Sequence, residues 1–397
     1  MTATAPSLPV DLFADETLLD PYPAYTRIRD AGPVVWLDAL GCWAVARYDG
    51  VRAVLEDWRA FTSDKGVGLN DDVNNALQGT LLASSPPLHD QLRGILAEPL
   101  SPRGLRTMTM DIKQRAVELV APLIDRRRFD AVTDLARVFP PTIVADLVGI
   151  PEAVRSRLIP WADAIFNMMG PPDKARTYAT ADLVGEQYAW LATVGSDDLA
   201  EGSWGRAIYQ AAEDGRIRPD QAPTLLSAYT SAAMDTTINV LSSAILLFAQ
   251  HPEQWERLRS DRSLIPSAFN EVLRLESPLQ FFTRVATTNV DLLGTPISAG
   301  DRLMVIYASA NRDERYWGEN AAELDITRDA SDHLAFGYGM HGCVGQGLAR
   351  LEAHSVFEVL ADRVGSFQLT GPVERHINSA IRGLERVPVE VITVNDR

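Results

Sequence analysis

Residues 336–345 read Phe336-Gly337-Tyr338-Gly339-Met340-His341-Gly342-Cys343-Val344-Gly345, four glycines in ten positions around a single cysteine. A helical pattern follows at once, with Val344, Gly347, Leu348, Leu351, Val356, Phe357 and Leu360 on one stripe. Cys343 is therefore expected at or near a helix start. There the partial positive charge of the helix end and its unpaired N–H groups lower a thiol's pKa and favour the thiolate needed for metal binding or nucleophilic attack. Glycines without a Cβ let backbone lie close to something flat and large. A glycine-rich turn ahead of an inert, buried cysteine would read the same way, so the stretch needs support from the rest of the chain.

The chain has 397 residues, 46% hydrophobic and 23% charged, and shows no repeat, linker or charge run at which to divide it. It reads as one domain over residues 1–397. A net charge of −16 argues against nucleic acid and against an anionic membrane surface. Two cysteines, Cys42 and Cys343, give no disulfide framework, and Cys42 reads as a small buried residue. Residues 1–20 contain four acids and no Lys or Arg, unlike a signal peptide, and no run approaches 18 apolar residues. A cytoplasmic protein that does not enter a membrane is expected.

Along the chain, a short helix over residues 24–31 stops at Gly32-Pro33, and residues 34–37 and 43–48 form a hairpin about a turn at 38–41. Residues 63–87 read as an irregular loop rich in Gly, Asn and Asp, a length that compact domains rarely leave idle, and a functional loop is expected there. His89 and Arg93, four apart on one helix face, could hold one anionic group. Residues 91–128 carry eight basic side chains against four acidic ones, an ordinary solvated face or a docking surface for an acidic partner. Helical patterns recur over 138–148, 152–169, 178–193 and 203–214, so the fold is mainly α with small sheets.

Residues 222–250 read as one central helix whose only charge is Asp235. A lone carboxylate in apolar surroundings costs energy unless it has partners or work to do. Ala232-Ala233 precede it and Thr236-Thr237 follow. Glu271 and Arg274, at i,i+3, would commonly be a surface pair of little worth.

Together these stretches resemble the cytochrome P-450 superfamily, the haem-thiolate monooxygenases, from Asp20-Pro21-Tyr22-Pro23 to the strands around 382–391. The fully occupied spacing F-G-x-G-x-H-x-C-x-G is the most specific part. The resemblance implies a single large domain with a long central helix over haem b, whose iron Cys343 would ligate. It implies haem contacts at His89, Arg93, Arg284 and His341, and at Ala232, Phe336 and Gly337. Asp235 would relay protons and Thr236 would bond the oxygen species; Ala233 departs from the glycine usual at its position. Glu271 and Arg274, joined by Arg328, would be structural.

A substrate pocket of Leu82, Phe166, Met169, Ala233, Phe281, Phe282 and Thr283 is implied, with Thr80, Ser227, Thr230 or Lys65 as polar contacts. The bacterial members most alike in pattern act on small para-substituted or methoxylated aromatics, by hydroxylation or O-demethylation. O₂ and two electrons from a ferredoxin and its NAD(P)H-dependent reductase would be needed, since no fused reductase is visible within residues 1–397. Peroxide-driven oxygenation and haem-based sensing without turnover remain open at this level.

Overall fold

The computed structural model describes residues 6–394. The first five residues of the acidic N-terminal segment, whose composition spoke against a signal peptide, lie outside the described residues. The described residues are mainly helical, with a six-stranded mixed sheet and three smaller sheets among them. The expected hairpin is present, Val34–Leu37 pairing antiparallel with Cys42–Val45. That sheet continues through Arg302–Val305, Phe282–Ala286 and Phe61–Thr62. Cys42 is 2% exposed and serves as core.

The central helix departs from the continuous rod expected over 222–250. It forms as Gln221–Ala232 and Asp235–Gln250, with Ala233 and Met234 between them. The interruption has a local cause. The Thr236 hydroxyl donates to Ala232 O at 3.3 Å and the Asn239 amide donates to Asp235 O at 2.8 Å. Polar side chains thus engage carbonyls beside the break, a back-bonding that bends helices. Beyond the break every residue of Asp235–Gln250 except Thr236, Ala249 and Gln250 is buried. The segment is long and apolar enough to cross a membrane, but 78% of its most apolar window is buried inside the protein. Its apolarity is spent on the core.

The helix Gln346–Arg363 leaves the cysteine loop and packs along the helix Pro102–Arg126. Gly347 makes the close approach possible, since a Cβ there would lie 2.6 Å from Leu105 Cδ1. The irregular stretch 63–87 contains one short helix, Asp71–Leu77, started by the Asn70 side chain accepting from Val73 N–H.

Candidate active site

A cavity of about 300 Å³ lies between the broken central helix and the cysteine loop. Cys343, Phe336, Gly337, His341, Ala232 and Ala233 all line it. The loop is held by its own backbone: Cys343 N–H donates to Phe336 O at 2.8 Å and Gly342 N–H to Gly339 O at 3.0 Å. Gly339 has φ +67°, and a Cβ there would come within 2.7 Å of Leu55 O. Only glycine suits that position.

The thiol does not show the lowered pKa expected of a helix start. The helix begins three residues later, at Gln346, and burial raises the Cys343 pKa, opposed by the Gly345 and Gln346 N–H groups and by the Arg93 charge. Its surface exposure is intermediate only because it borders an internal cavity.

Cationic and neutral donors gather on the loop side. Arg93, from the helix Leu88–Ala97, donates to Gly342 O at 2.8 Å and so clasps the residue before Cys343. His89, 1% exposed, pairs its Nδ1 with Asp90, whereas its buried Nε2 has no partner among the described residues. Arg284 is 3% exposed, lines the cavity and donates to Thr283 O at 2.8 Å. His341 stacks edge-on against His89 and shares a 2.9 Å hydrogen bond with Ser63 through Nε2. Burial, then the Arg284 charge, lowers its pKa to about 3, so the ring is neutral.

Asp235 and Thr236 face different ways, as adjacent helical residues must. Thr236 lines the cavity, but Asp235 turns toward a polar cluster behind the helix. There Asp163 Oδ1 meets His376 Nε2 at 2.6 Å and accepts from Asn378 Nδ2 at 2.8 Å, while His376 Nδ1 lies 3.2 Å from Glu385. Burial, then the Asp163 charge, pushes the Asp235 carboxyl above the usual range. Its Oδ2 has no partner among the described residues. The hydrogen bond to Asp163 raises the His376 pKa.

Glu271 and Arg274 are both fully buried, unlike a surface pair. Arg274 meets the carboxylate through Nε and Nη2 at 2.7 and 2.8 Å, and Arg328 Nε adds a 3.2 Å contact. Arg274 Nη1 donates to Asn311 O, and Asn311 Oδ1 accepts from Leu334 N–H, both at 2.7 Å. Leu334 O in turn accepts from Gly337 N–H at 2.9 Å, so the network ends in the cysteine loop.

Two expected pocket residues are elsewhere. In the segment running into the strand Phe282–Ala286, side chains alternate. Phe282 and Arg284 face the cavity, whereas Phe281 packs edge-on against Phe13 and Thr283 bonds to Gly68 O at 3.1 Å. Leu82, Phe166, Met169, Thr80 and Ser227 line the cavity as expected. Lys65 and Thr230 are not among its walls. Sequence reasoning missed Gln187, Tyr188, Thr224, Ser231 and Glu352, which do line it. Gln187 had a signal: it shares the buried face of the helix Ala181–Thr193 with Val184 and Leu191, a polar residue on an apolar stripe.

The cysteine loop, the paired central helices and the basic groups beside the loop define a haem-thiolate protein. Residues 210–369 match the family model "Cytochrome P450". The chain is 37% identical over 393 residues to cytochrome P450 CYP199A2 of Rhodopseudomonas palustris, covering 98% of this chain and 95% of that protein. It is 32% identical to the monooxygenase PikC of Streptomyces venezuelae, again over 98% and 95% of the two chains. Its fold matches that of cytochrome P450 CREJ, solved with (4-ethylphenyl) dihydrogen phosphate, at TM-score 0.85 and 27% identity, covering 97% and 99%. The chain belongs to the cytochrome P450 family and is an oxidoreductase of the monooxygenase type.

The family's cofactor, haem with a cysteine thiolate ligand, fits the residues present. A thiol borders the cavity, apolar side chains form most of its wall, and the guanidinium groups of Arg93 and Arg284 suit two propionates, with the buried His89 ring beside them.

Proposed function

We propose that Cys343 holds haem through its thiolate and that the cavity admits a small aromatic substrate, which is hydroxylated or O-demethylated with electrons from a ferredoxin. The observation that carries the substrate reading is the wall itself. Phe166, Met169, Phe282 and Leu82 share the cavity wall away from Cys343, a composition suited to an aromatic ring. The CREJ structure, solved with a para-substituted phenyl phosphate, lends further support.

When bound, haem supplies reductive activation of O₂, one oxygen atom entering a substrate C–H bond and the other leaving as water with two electrons and two protons. His89, Arg93 and Arg284 fix the cofactor by its carboxylates. His341, neutral and tied to Ser63, packs beside His89 and completes that wall. Asp235, its carboxyl raised by burial, would store a proton behind the helix, next in sequence to Thr236, which lines the cavity. Glu271, Arg274 and Arg328 keep the cysteine loop in place.

Electron delivery fits an acidic carrier. Exposed Arg103 and Arg106 lie with Met110, 76% exposed, on the helix Pro102–Arg126. Leu105, between the two arginines, meets Gly347 just beyond the cysteine loop. Other basic residues of the stretch are already paired, Lys113 with Glu358 and Arg115 with Asp146. We place the protein in the cytoplasm, where reduced ferredoxin and NAD(P)H are available.

Optical titration with 4-methoxybenzoate and guaiacol tests the substrate reading. A spin-state shift, with formaldehyde released on turnover, is the expected outcome. No shift with either compound would overturn it.

A further inference from the structure

The cavity has a second polar end, away from the cysteine loop, built by the helices Ala181–Thr193 and Gln221–Ala232. Thr80, Gln187, Tyr188, Thr224, Ser227 and Ser231 line it. Gln187 stands apart from the others because it is 1% exposed and its Oε1 has no hydrogen-bond partner among the described residues. A buried amide oxygen left unpaired costs about 1–3 kcal/mol, so in a native site it calls for a partner.

The orientation of the amide follows from its neighbours. Nε2 carries two hydrogens and has two acceptors, Thr230 Oγ1 at 2.8 Å and Ser231 Oγ at 3.0 Å. The Thr230 hydroxyl directs its own hydrogen to Ser227 O at 3.4 Å, leaving its oxygen to accept. Turning the amide over would strand two N–H donors instead of one acceptor. Oε1 is therefore the amide atom without a protein partner among the described residues.

The charges of the cavity point the same way. Among the described residues its lining cations are Arg93 and Arg284, and both belong to the cysteine-loop side. A carboxylate at the far end would meet an amide oxygen and hydroxyls without a cation, which leaves its charge desolvated and unpaired.

Building on the aromatic reading, we propose that Gln187 is a specificity-determining residue whose Oε1 accepts a hydrogen bond from an uncharged donor, a phenolic hydroxyl or equivalent N–H, on the end of the substrate remote from the oxidised carbon. The site selects neutral donors over the corresponding carboxylates. Hydroxyls of Ser227 and Ser231 accompany the contact, and the apolar ring lies between this end and the cysteine loop.

Three para-substituted methoxyarenes of similar size separate the cases: 4-methoxyphenol, 1,4-dimethoxybenzene and 4-methoxybenzoate. Dissociation constants are read by calorimetry and by spin-state titration of the holoenzyme at neutral pH. The expected order of affinity is phenol, then ether, then carboxylate. Gln187→Met should weaken the phenol roughly three- to tenfold and leave the ether within about twofold, retained ether binding also showing that the variant is folded. Equal or tighter binding of the carboxylate, or a variant that treats phenol and ether alike, overturns the role of Gln187 while the aromatic reading stands. Failure of all three compounds to bind overturns both. If the variant does not fold, the ranking with the native protein decides.

Discussion

Replacing Glu271 with Gln should destabilise the protein from beneath the cysteine loop. The carboxylate accepts from Arg274 Nε and Nη2, from Arg328 Nε and from Asp325 N–H, with no exposure of its own. The substituted amide would turn an NH₂ group against guanidinium donors and leave Arg274 as a buried charge without its counter-ion. Removing one partner of such a pair costs about 3–5 kcal/mol, a large share of the roughly 5–15 kcal/mol that holds a typical protein folded. With an unfolding entropy of about 2.1 cal/mol/K per residue, 4 kcal/mol corresponds to a fall in Tm of roughly 5 °C for a chain of this length. Equilibrium urea unfolding and scanning calorimetry measure both quantities. Because the network reaches Gly337 through Asn311 and Leu334, haem retention should drop with stability. A loss under about 1 kcal/mol, with haem content unchanged, would refute the reasoning.

The Asp235 carboxyl is raised in the folded protein, so from about pH 4 upward the native state binds more protons than the unfolded chain and stability falls as pH rises. Asp235→Asn should match wild type near pH 4 and gain on it by pH 8 in parallel urea titrations; a pH-independent difference would contradict this. Thr236→Ala should leave substrate affinity within about twofold but lower product formed per NAD(P)H by roughly tenfold or more, read by product analysis against cofactor consumption. Arg103→Glu with Arg106→Glu should raise the apparent KM for an acidic ferredoxin by about tenfold at low salt, with the gap narrowing at high salt. Phe281→Ala should cost about 3–5 kcal/mol of stability, since it removes a buried ring, whereas Phe282→Ala should mainly change substrate affinity.

Much of this architecture could be read from residue spacing because its signals are local. The glycine pattern around Cys343, the i,i+3 pair at Glu271 and Arg274, and the lone acid at Asp235 all lie within single short segments. What escaped depends on the third dimension. Nothing local told which of Phe281, Phe282 and Thr283 would face inward, because strand phase depends on the register with Arg302–Val305. The Ser63–His341 bond joins positions 278 residues apart. The break in the central helix was hidden since Ala, Met and Thr all fit a helical pattern, and only side-chain bonding to the backbone reveals it. The lowered thiol pKa failed for a similar reason, because burial outweighed the pull of nearby N–H groups.

The alternation along Phe282–Ala286 has a consequence for anyone reshaping this enzyme. Phe282 and Arg284, proposed for substrate and cofactor respectively, both line the cavity and project from the same side of one ribbon. A single-residue insertion or deletion just upstream would flip both at once, so selectivity and cofactor retention are mechanically geared together on this edge. Library design that seeks new substrates there should exchange side chains at fixed length and leave the spacing of the backbone alone.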